Sequence, residues 1–265
     1  MPTHFQRSQF PEIFLPKLSV LHEGIDTDFF KPAAETGNLK LEKLDLTGAK
    51  EILTYSTRGM EPYRGYPQFM RAAAKVMEKR PDLHVVVVGQ DRVAYGRQLP
   101  EGESWRKRLL EELKPDMNRL HFTGLLPYPE YLKVLQASHC HVYLTVPFVL
   151  SWSSMESMAA GCLIVGSDTA PLREVITDNE SGLLTDFFDI DALAEKIIYA
   201  LDNQKKLRGL REAARRTILE KYALKDLLPR HLRLIKDVAQ GVIPPFEGQV
   251  EAAAAKAAGR KKKKA

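Results

Sequence analysis

The sequence predicts an α/β protein built on a doubly wound, Rossmann-like parallel sheet of six strands. From residue 51 onward, short apolar runs alternate with amphipathic stretches, which is the pattern of repeated βα units. The apolar runs are continuous, as in the four valines at 85–88, and this is typical of strands covered by helices on both faces. With 265 residues, 44% hydrophobic and 28% charged, the chain is long enough to bury a large core.

Each predicted element is a segment whose apolar spacing fits one period. Six short, largely apolar runs predict the strands of the sheet: 52–56, 84–89, 120–123, 141–145, 163–166 and 182–185. Seven amphipathic stretches predict helices: 68–79, 105–113, 129–137, 153–160, 191–201, 204–221 and 225–238. The last two helices follow one another without an intervening strand. A further short strand is predicted at 18–22, outside the sheet.

Composition divides the chain into three parts. Residues 1–50 contain the strand at 18–22 and a connector punctuated by Pro, Gly and Lys, without a βα unit, so we expect a linker rather than a domain. Residues 51–240 form the predicted α/β domain. Residues 241–265 end in an Ala/Lys segment of low complexity and are predicted to be a basic tail.

The positive charge of the chain is concentrated in this tail. Residues 251–265 carry six basic side chains and one acidic side chain, a net charge of +5 that equals the charge of the whole chain, so residues 1–250 are neutral overall. A neutral body is not typical of nucleic-acid binding, and we expect no specific nucleic-acid partner. The tail is interpreted either as a solvated, disordered run or as a weak contact with an anionic membrane.

The sequence predicts a cytoplasmic protein that holds no metal or other cofactor. No stretch approaches the roughly eighteen consecutive apolar residues of a membrane span, and the N-terminus has no apolar signal-peptide core. Cys140 and Cys162 lie in apolar surroundings without a Cys/His cluster, so buried, reduced thiols are expected. The seven histidines are scattered along the chain and show no metal-ligand spacing.

Two arginines follow the first predicted strand of the sheet. Doubly wound sheets bind ligands at the carboxyl ends of their strands, and Arg58 lies just past the strand at 52–56, six residues before Arg64. Arginine presents a planar, permanently charged fork that matches phosphate oxygens, so a converging pair can grip a diphosphate. The alternative is that both are exposed arginines of a surface loop.

A second candidate segment follows the strand at 120–123. Gly124 and Leu125 lie between that strand and Pro127, whose ring fixes the course of the loop. Backbone groups of such a loop can face a flat ring, and we expect Gly124 and Leu125 to bind substrate.

The helix predicted at 153–160 supplies the remaining candidates. Ser151 and Ser153 are good helix-start residues, and the unpaired N–H groups of a helix N-terminus can bind phosphate. Glu156 follows close behind. Its carboxylate can accept hydrogen bonds from ribose hydroxyls, or it can simply stabilise the helix start through the helix dipole.

Four segments, taken in order and spacing, resemble a known family: 56–65 (STRGMEPYRG), 122–124 (FTG), 155–168 (MESMAAGCLIVGSD) and 182–184 (GLL). Over residues 50–205 the chain is similar to the C-terminal domain of the group 1 (family 4) retaining glycosyltransferases. The resemblance implies a two-domain enzyme of the GT-B fold, of which this chain holds the donor-binding domain.

The resemblance also implies a reaction and residue roles. A sugar passes from a nucleotide diphosphate sugar to a hydroxyl of an acceptor glycan, lipid or small molecule, with retention and without a metal, because positive side chains and helix N-termini stabilise the leaving diphosphate. Arg58 and Arg64 are then the catalytic residues that hold the diphosphate, with Arg64 in place of the usual Lys. Glu156 corresponds to the second Glu of the family's paired-Glu motif and is expected to hold the ribose.

The chain departs from the family pattern at two points. Phe148 stands where the first Glu of that motif belongs, and its ring cannot hydrogen-bond a sugar hydroxyl, although nearby Trp152 can stack on an apolar sugar face. Residues 2–27 resemble the end of the N-terminal domain and the crossing into the second domain. We therefore expect most of the acceptor-binding half to be absent from this chain and supplied by a separate N-terminal half.

Two other functions are compatible with a nucleotide-binding α/β fold. A non-catalytic nucleotide-sugar-binding module that works with a separate N-terminal half remains open. An NAD(P) dehydrogenase on a similar sheet is disfavoured, because no GxGxxG motif opens a helix after the first strand.

Overall fold

The computed structural model describes residues 1–34 and 37–242. Its strands are β1 (Lys40–Leu41), β2 (Leu44–Asp45), β3 (Glu51–Gly59), β4 (Leu83–Gln90), β5 (Leu120–Gly124), β6 (Cys140–Tyr143), β7 (Ile164–Ser167) and β8 (Leu183–Thr185). Its helices are α1 (His4–Ser8), α2 (Tyr66–Lys79), α3 (Trp105–Leu113), α4 (Tyr128–Ala137), α5 (Trp152–Ala159), α6 (Ala170–Arg173), α7 (Ile190–Asp202), α8 (Arg208–Lys221) and α9 (Leu224–Ala239). Two 3₁₀-helices cover Glu12–Lys17 and Pro62–Arg64.

Strands β3 to β8 form one parallel sheet in the order β5-β4-β3-β6-β7-β8. The chain runs outward from β3 to β5 on one side, returns to the centre, and then runs outward from β6 to β8 on the other side. The strand order therefore reverses between the neighbours β3 and β6, and the loops that diverge there leave a crevice at the carboxyl ends of the strands. The predicted doubly wound, six-stranded parallel sheet is confirmed.

Strand β4 shows why the continuous apolar runs lie inside the sheet. Val85, Val86 and Val87 have no exposed surface and Val88 is 7% exposed, so both faces of the strand are covered. β-Branched side chains suit such a pleated, covered position. Residues 51–56 of β3 pair in register with residues 83–88 of β4, which brings the carboxyl ends of the two strands side by side.

All seven predicted helices are formed, with ends within four residues of the prediction. Helix α2 illustrates the pattern, because one face of it is buried at helical spacing through Phe69, Met70, Ala73, Val76 and Met77. Helices α2 and α7 pack together on the sheet.

The strand predicted at 18–22 is not formed, and this prediction is wrong. The Leu21 N–H donates to the carbonyl of Met1, and the amino group of Met1 donates to the carbonyl of Ser19, both at 2.8 Å. A strand needs a neighbouring strand with which it forms a regular series of backbone hydrogen bonds. This segment instead forms isolated bonds with the N-terminal residue. The hairpin β1–β2 and the short helices α1 and α6 were not predicted, because elements of two to five residues are too short to show a period.

The chain divides into two compact units. Residues 27–221 hold the sheet. The other unit comprises residues 1–26 and the described residues from Tyr222 onward, where the Ile25 N–H donates to the Tyr222 carbonyl and the Leu224 N–H donates to the Ile25 carbonyl, both at 2.8 Å. Along α9, four apolar side chains are between 47% and 64% exposed: Leu228, Leu232, Ile235 and Val238.

Several smaller predictions concern the rest of the chain. Cys140 and Cys162 are free and buried, as predicted. Within residues 1–34 and 37–242, no helix combines the length and the apolar character needed to cross a bilayer. Of the predicted tail at 241–265, residues 243–265 lie outside the described part of the chain, and the predicted membrane contact falls on these residues.

Candidate functional site

A pocket of about 470 Å³ opens at the carboxyl ends of the central strands. Its walls include the ends of β3, β4 and β6 and the start of α5, so it occupies the crevice where the strand order reverses. Most of the predicted site residues line it: Arg58, Arg64, Leu125, Ser151, Trp152, Ser153 and Glu156. The sheet topology thus brings together side chains from segments almost one hundred residues apart in sequence.

Gly124 is the predicted site residue that does not line this pocket. It ends β5 with a φ of 69°, a left-handed conformation that glycine adopts without strain. The turn directs the chain into Leu125, which lines the pocket and is 74% exposed. Gly124 therefore shapes the loop, and Leu125 offers the apolar surface.

Arg64 is buried at the floor of the pocket. Its side chain is 6% exposed, and Nη1 donates hydrogen bonds to the hydroxyls of Tyr143 and Thr145, each at 3.3 Å, and to the carbonyl of Val149 at 3.0 Å. No carboxylate forms an ion pair with this guanidinium in the part of the chain that the structure describes. A buried cation without a counter-charge is costly, so the site is suited to an anionic ligand.

Local backbone geometry places Arg64 there. It ends the 3₁₀-helix Pro62–Arg64, and the next residue, Gly65, has a φ of 68°. A side chain at Gly65 would bring its Cβ within 2.4 Å of the Leu144 Cβ, so this tight turn into α2 requires glycine. The alternative that Arg64 is an exposed loop residue is wrong.

Two aromatic rings flank the Arg64 guanidinium. Its carbon lies 5.3 Å from the ring centre of Tyr95 and 5.4 Å from that of Phe148, at cation–π distance. The Phe148 ring also contacts the rings of Tyr63, at 6.1 Å, and Tyr95, at 5.2 Å, both edge-on. Phe148 thus contributes an aromatic contact to the buried cation, and the position that the motif reserves for a carboxylate holds an apolar group.

Arg58 approaches the same place from β3. It is exposed and lines the pocket together with Arg64 and Tyr95. Burial raises the pKa of Tyr95, but the two guanidinium groups outweigh burial and hold that pKa below its usual value of 10.0. Both arginines thus lie near Tyr95 in the same pocket, whereas their spacing in the sequence left open whether they converge or are both exposed.

The start of α5 differs from what was expected. Ser151 is the N-cap, and its hydroxyl accepts a hydrogen bond from the Ser153 N–H at 3.3 Å. The Ser154 N–H donates to the Ser151 carbonyl at 3.2 Å. These amides are therefore satisfied within the helix start. The serine cap competes with any external anion for them. Ser151 and Ser153 line the pocket, but a phosphate there must displace the cap.

Glu156 lies in the second turn of α5 and is 6% exposed. The first turn contains no acidic residue, so the alternative that Glu156 stabilises the helix start is not supported. The Tyr128 hydroxyl donates to its Oε1 at 3.3 Å. Burial raises the pKa of Glu156 from 4.5 to about 7, against a smaller opposing effect of the Tyr128 hydrogen bond. The buried carboxylate of Glu156 can thus accept further hydrogen bonds from a ligand with hydroxyl groups.

A polar network beneath the pocket was missed in the sequence. The Ser56 hydroxyl lies 3.2 Å from the hydroxyl of Tyr131 and 3.5 Å from Nε2 of His141, and Nδ1 of His141 lies 2.7 Å from the Thr54 hydroxyl. Burial lowers the pKa of His141 to about 3, so the imidazole is neutral. In the sequence, the alternation of Thr54 and Ser56 along β3 was the feature that could have predicted this network. The contact between the hydroxyls of Ser56 and Tyr131 holds the Tyr131 side chain, which lines the pocket.

Metal ligands are not gathered at this site. Within residues 1–34 and 37–242, no group of three or more His, Cys, Asp or Glu side chains is arranged to hold a metal ion. Positive charge in the pocket comes from Arg58 and Arg64.

Comparison with protein families places this geometry in context. The family described as "Glycosyl transferases group 1" matches residues 40–217, and the family described as "Glycosyl transferase family 4 group" matches residues 1–30. The chain is 24% identical over 209 residues to the GDP-mannose-dependent monoacylated alpha-(1-6)-phosphatidylinositol monomannoside mannosyltransferase of Corynebacterium glutamicum, covering 76% of this chain and 51% of that protein. The chain spans about half the length of the curated relatives it matches.

Solved structures show the same fold. The C-terminal domain of the group 1 glycosyl transferase family protein LpcC from Francisella tularensis superposes with a TM-score of 0.62 at 19% identity, covering 76% of this chain and 100% of that domain. HepE of Anabaena in complex with UDP-glucose gives a TM-score of 0.65 at 14% identity, covering 83% of this chain and 57% of HepE. At these identities the likeness establishes the fold, which is the GT-B type expected from the sequence.

Proposed function

The chain belongs to the group 1 glycosyltransferases, and we propose that its pocket binds a nucleotide diphosphate sugar whose sugar is transferred, with retention, to an acceptor hydroxyl. The observation that carries this proposal is Arg64, a guanidinium that is 6% exposed and has no acidic partner in the described residues. An anionic ligand in the pocket supplies the missing counter-charge.

We propose that Arg58 and Arg64 hold the donor diphosphate. As the bond to the sugar breaks, negative charge builds on the leaving diphosphate, and fixed positive groups stabilise that charge. Both guanidinium groups line the pocket, and that of Arg64 is already held by three hydrogen bonds, so little reorganisation is needed. The proposed transfer therefore draws its positive charge from these side chains rather than from a metal.

The other lining residues fit the rest of the nucleotide. Glu156 is proposed to accept hydrogen bonds from the ribose hydroxyls, since a buried carboxylate beside a pocket gains from such donors. Leu125 and Trp152 are 74% and 51% exposed and offer apolar surface to flat or apolar groups, with Gly124 shaping the Leu125 loop. Ser151 and Ser153 are proposed to contact phosphate at the start of α5.

For the base of the donor and for the acceptor, we propose chemical classes rather than single compounds. The Corynebacterium relative is named for GDP-mannose, whereas HepE was solved with UDP-glucose, so both GDP and UDP donors are candidates. The acceptor is proposed to be a glycan, a lipid or a small molecule with a free hydroxyl.

We also propose a division of labour along the chain. Residues 1–50 are the end of an N-terminal domain and a linker, residues 51–240 bind the donor, and residues 241–265 are a basic tail. The acceptor pocket is proposed to come from an N-terminal half that is separate from the donor-binding residues 51–240. Transfer requires donor and acceptor to face one cleft.

Phe148 favours a second candidate function. With an aromatic ring where the family motif has a carboxylate, the protein could bind nucleotide sugar without transferring it and serve as a subunit of a larger enzyme.

Sugar transfer distinguishes the two candidates. UDP-glucose and GDP-mannose are incubated with the chain alone and with an N-terminal half from a related enzyme, and the release of UDP or GDP is followed with a panel of hydroxyl acceptors. We expect donor binding in both samples and acceptor-dependent transfer in the mixture. Binding without transfer in any mixture would favour the binding module, and robust transfer by the chain alone would overturn the proposed need for a second half.

A further inference from the structure

Tyr95 lies at the rim of the pocket, in the long loop between β4 and α3. Its ring covers the guanidinium of Arg64 at 5.3 Å and meets the ring of Phe148 edge-on at 5.2 Å. Arg58 and Arg64 line the same pocket as Tyr95. Tyr95 therefore lies beside the two proposed diphosphate-binding groups.

A buried carboxylate fixes the backbone at this position. Glu61 has no exposed surface, and its Oε2 accepts hydrogen bonds from the N–H groups of Tyr95, at 2.9 Å, and Gly96, at 2.8 Å. Its Oε1 accepts a longer bond from the Tyr95 N–H at 3.2 Å. A buried carboxylate is tolerated where hydrogen-bond donors satisfy it, and here the donors are two consecutive amides of the loop. The loop is thus tied down at the residue that faces the pocket.

The Tyr95 hydroxyl retains a hydrogen to donate. Guanidinium groups are donors without an acceptor, so Arg58 and Arg64 can engage only the lone pairs of the phenol oxygen. None of the hydrogen bonds found in residues 1–34 and 37–242 has this hydroxyl as its donor. Tyr95 is 41% exposed and lines the pocket. A diphosphate held by the two arginines presents acceptor oxygens next to that hydrogen.

We infer that the Tyr95 hydroxyl donates a hydrogen bond to the diphosphate of the bound donor and that Glu61 positions it. This inference rests on the proposed function. It adds a binding residue from the loop after β4, a region to which no motif in the sequence assigned a role. The guanidinium of Arg64 lies against the Tyr95 ring, and the ligand receives the hydrogen of the hydroxyl.

The test removes the hydroxyl and keeps the ring. Tyr95→Phe is compared with the parent by calorimetric titration with UDP and GDP and with uridine and guanosine. Loss of one hydrogen bond is expected to weaken binding of the diphosphate about three- to tenfold, with nucleoside affinity unchanged. Tyr63→Phe is the matched control, because Tyr63 also packs against Phe148 but does not line the pocket. It should bind like the parent.

Glu61→Gln tests the positioning role. The amide replaces one carboxylate oxygen by a donor, which cannot accept the loop N–H groups, so diphosphate affinity should fall by a similar factor. In the double variant with Tyr95→Phe there should be no further loss, because Glu61 acts through the Tyr95 hydroxyl. A merely structural role of Glu61 would add its own loss to the double variant, and that result would overturn the positioning assignment.

The outcomes separate this inference from the function on which it rests. If Arg64→Ala loses diphosphate affinity while Tyr95→Phe keeps it, the inference is overturned and the proposed function stands. Tighter binding by Tyr95→Phe would also overturn it, since the hydroxyl would then be a competitor of the phosphate. If the parent binds neither UDP nor GDP, both fall together.

Discussion

Replacing Glu156 by glutamine removes a carboxyl group whose ionisation destabilises the folded protein. Glu156 is 6% exposed, and burial raises its pKa from 4.5 to about 7. Below pH 4.5 the group is protonated in the folded and unfolded states alike and the full stability is present. As the pH rises from 4.5 through 7, the unfolded state loses its proton first, and the folded state is progressively destabilised. A shift of this size corresponds to about 3 kcal/mol at alkaline pH.

The glutamine side chain keeps the shape and the oxygen that accepts from Tyr128, but it does not titrate. The free energy of unfolding of Glu156→Gln, relative to the parent, should therefore increase by about 2.5 kcal/mol between pH 5 and pH 8.5. Urea unfolding of the ligand-free proteins at several pH values measures this difference. Glu180→Gln, at an exposed site between α6 and β8, is the matched control and should show no comparable increase. A difference between the parent and Glu156→Gln that does not change with pH would show that burial does not raise the pKa of Glu156.

The same carboxyl should make ligand binding depend on pH. The ionised carboxylate is the better acceptor for ribose hydroxyls, so the parent should bind uridine or guanosine up to about tenfold more tightly at pH 8 than at pH 6. Nucleosides are used because a phosphate group titrates in this range. In Glu156→Gln the affinity should be lower and independent of pH. A stability gain without any loss of nucleoside affinity would contradict the ribose assignment.

Three other predictions follow from the site and the surfaces around it. Arg58→Ala and Arg64→Ala should each weaken binding of UDP or GDP by about 1.5–3 kcal/mol in calorimetric titration, because each removes a charged hydrogen-bond donor, while nucleoside binding changes little; unchanged diphosphate affinity in both would show that the phosphate assignment is wrong. Deletion of residues 251–265 should leave the urea midpoint and nucleotide affinity intact, because an Ala/Lys segment has too little apolar surface to join a core, and cooperative destabilisation would contradict this. The chain should self-associate in sedimentation velocity runs at rising concentration through the exposed apolar side chains of α9, and Leu232→Glu with Ile235→Glu should reduce this; a parent that stays monomeric would count against it.

The sheet was predictable because burial on both faces leaves a signal in single segments. A strand with one exposed face alternates polar and apolar residues, whereas β4 has four consecutive valines and is therefore recognised as a strand covered on both faces. The alternation of strands and helices along the chain then predicts the class of fold. The same rule locates the site, since ligands bind at the carboxyl ends of parallel strands. The apolar run at 18–22 failed because strand formation depends on a partner ladder, which lies elsewhere in the chain.

The residues missed at the site depend on tertiary contact. Glu61 lies between Met60 and Pro62 and has the sequence context of an ordinary turn, yet it is fully buried and accepts hydrogen bonds from amides more than thirty residues away. Tyr95 becomes important because the loop folds over Arg64. The raised pKa of Glu156 likewise follows from burial depth, which no local pattern encodes.

The most direct test of the donor pocket is a crystal structure of the chain with UDP or GDP. We expect the diphosphate within hydrogen-bonding distance of the guanidinium groups of Arg58 and Arg64, the ribose hydroxyls on the carboxylate of Glu156, and the base toward Leu125. A nucleotide bound elsewhere, or one whose diphosphate points away from Arg64, would show that this pocket is not the donor site.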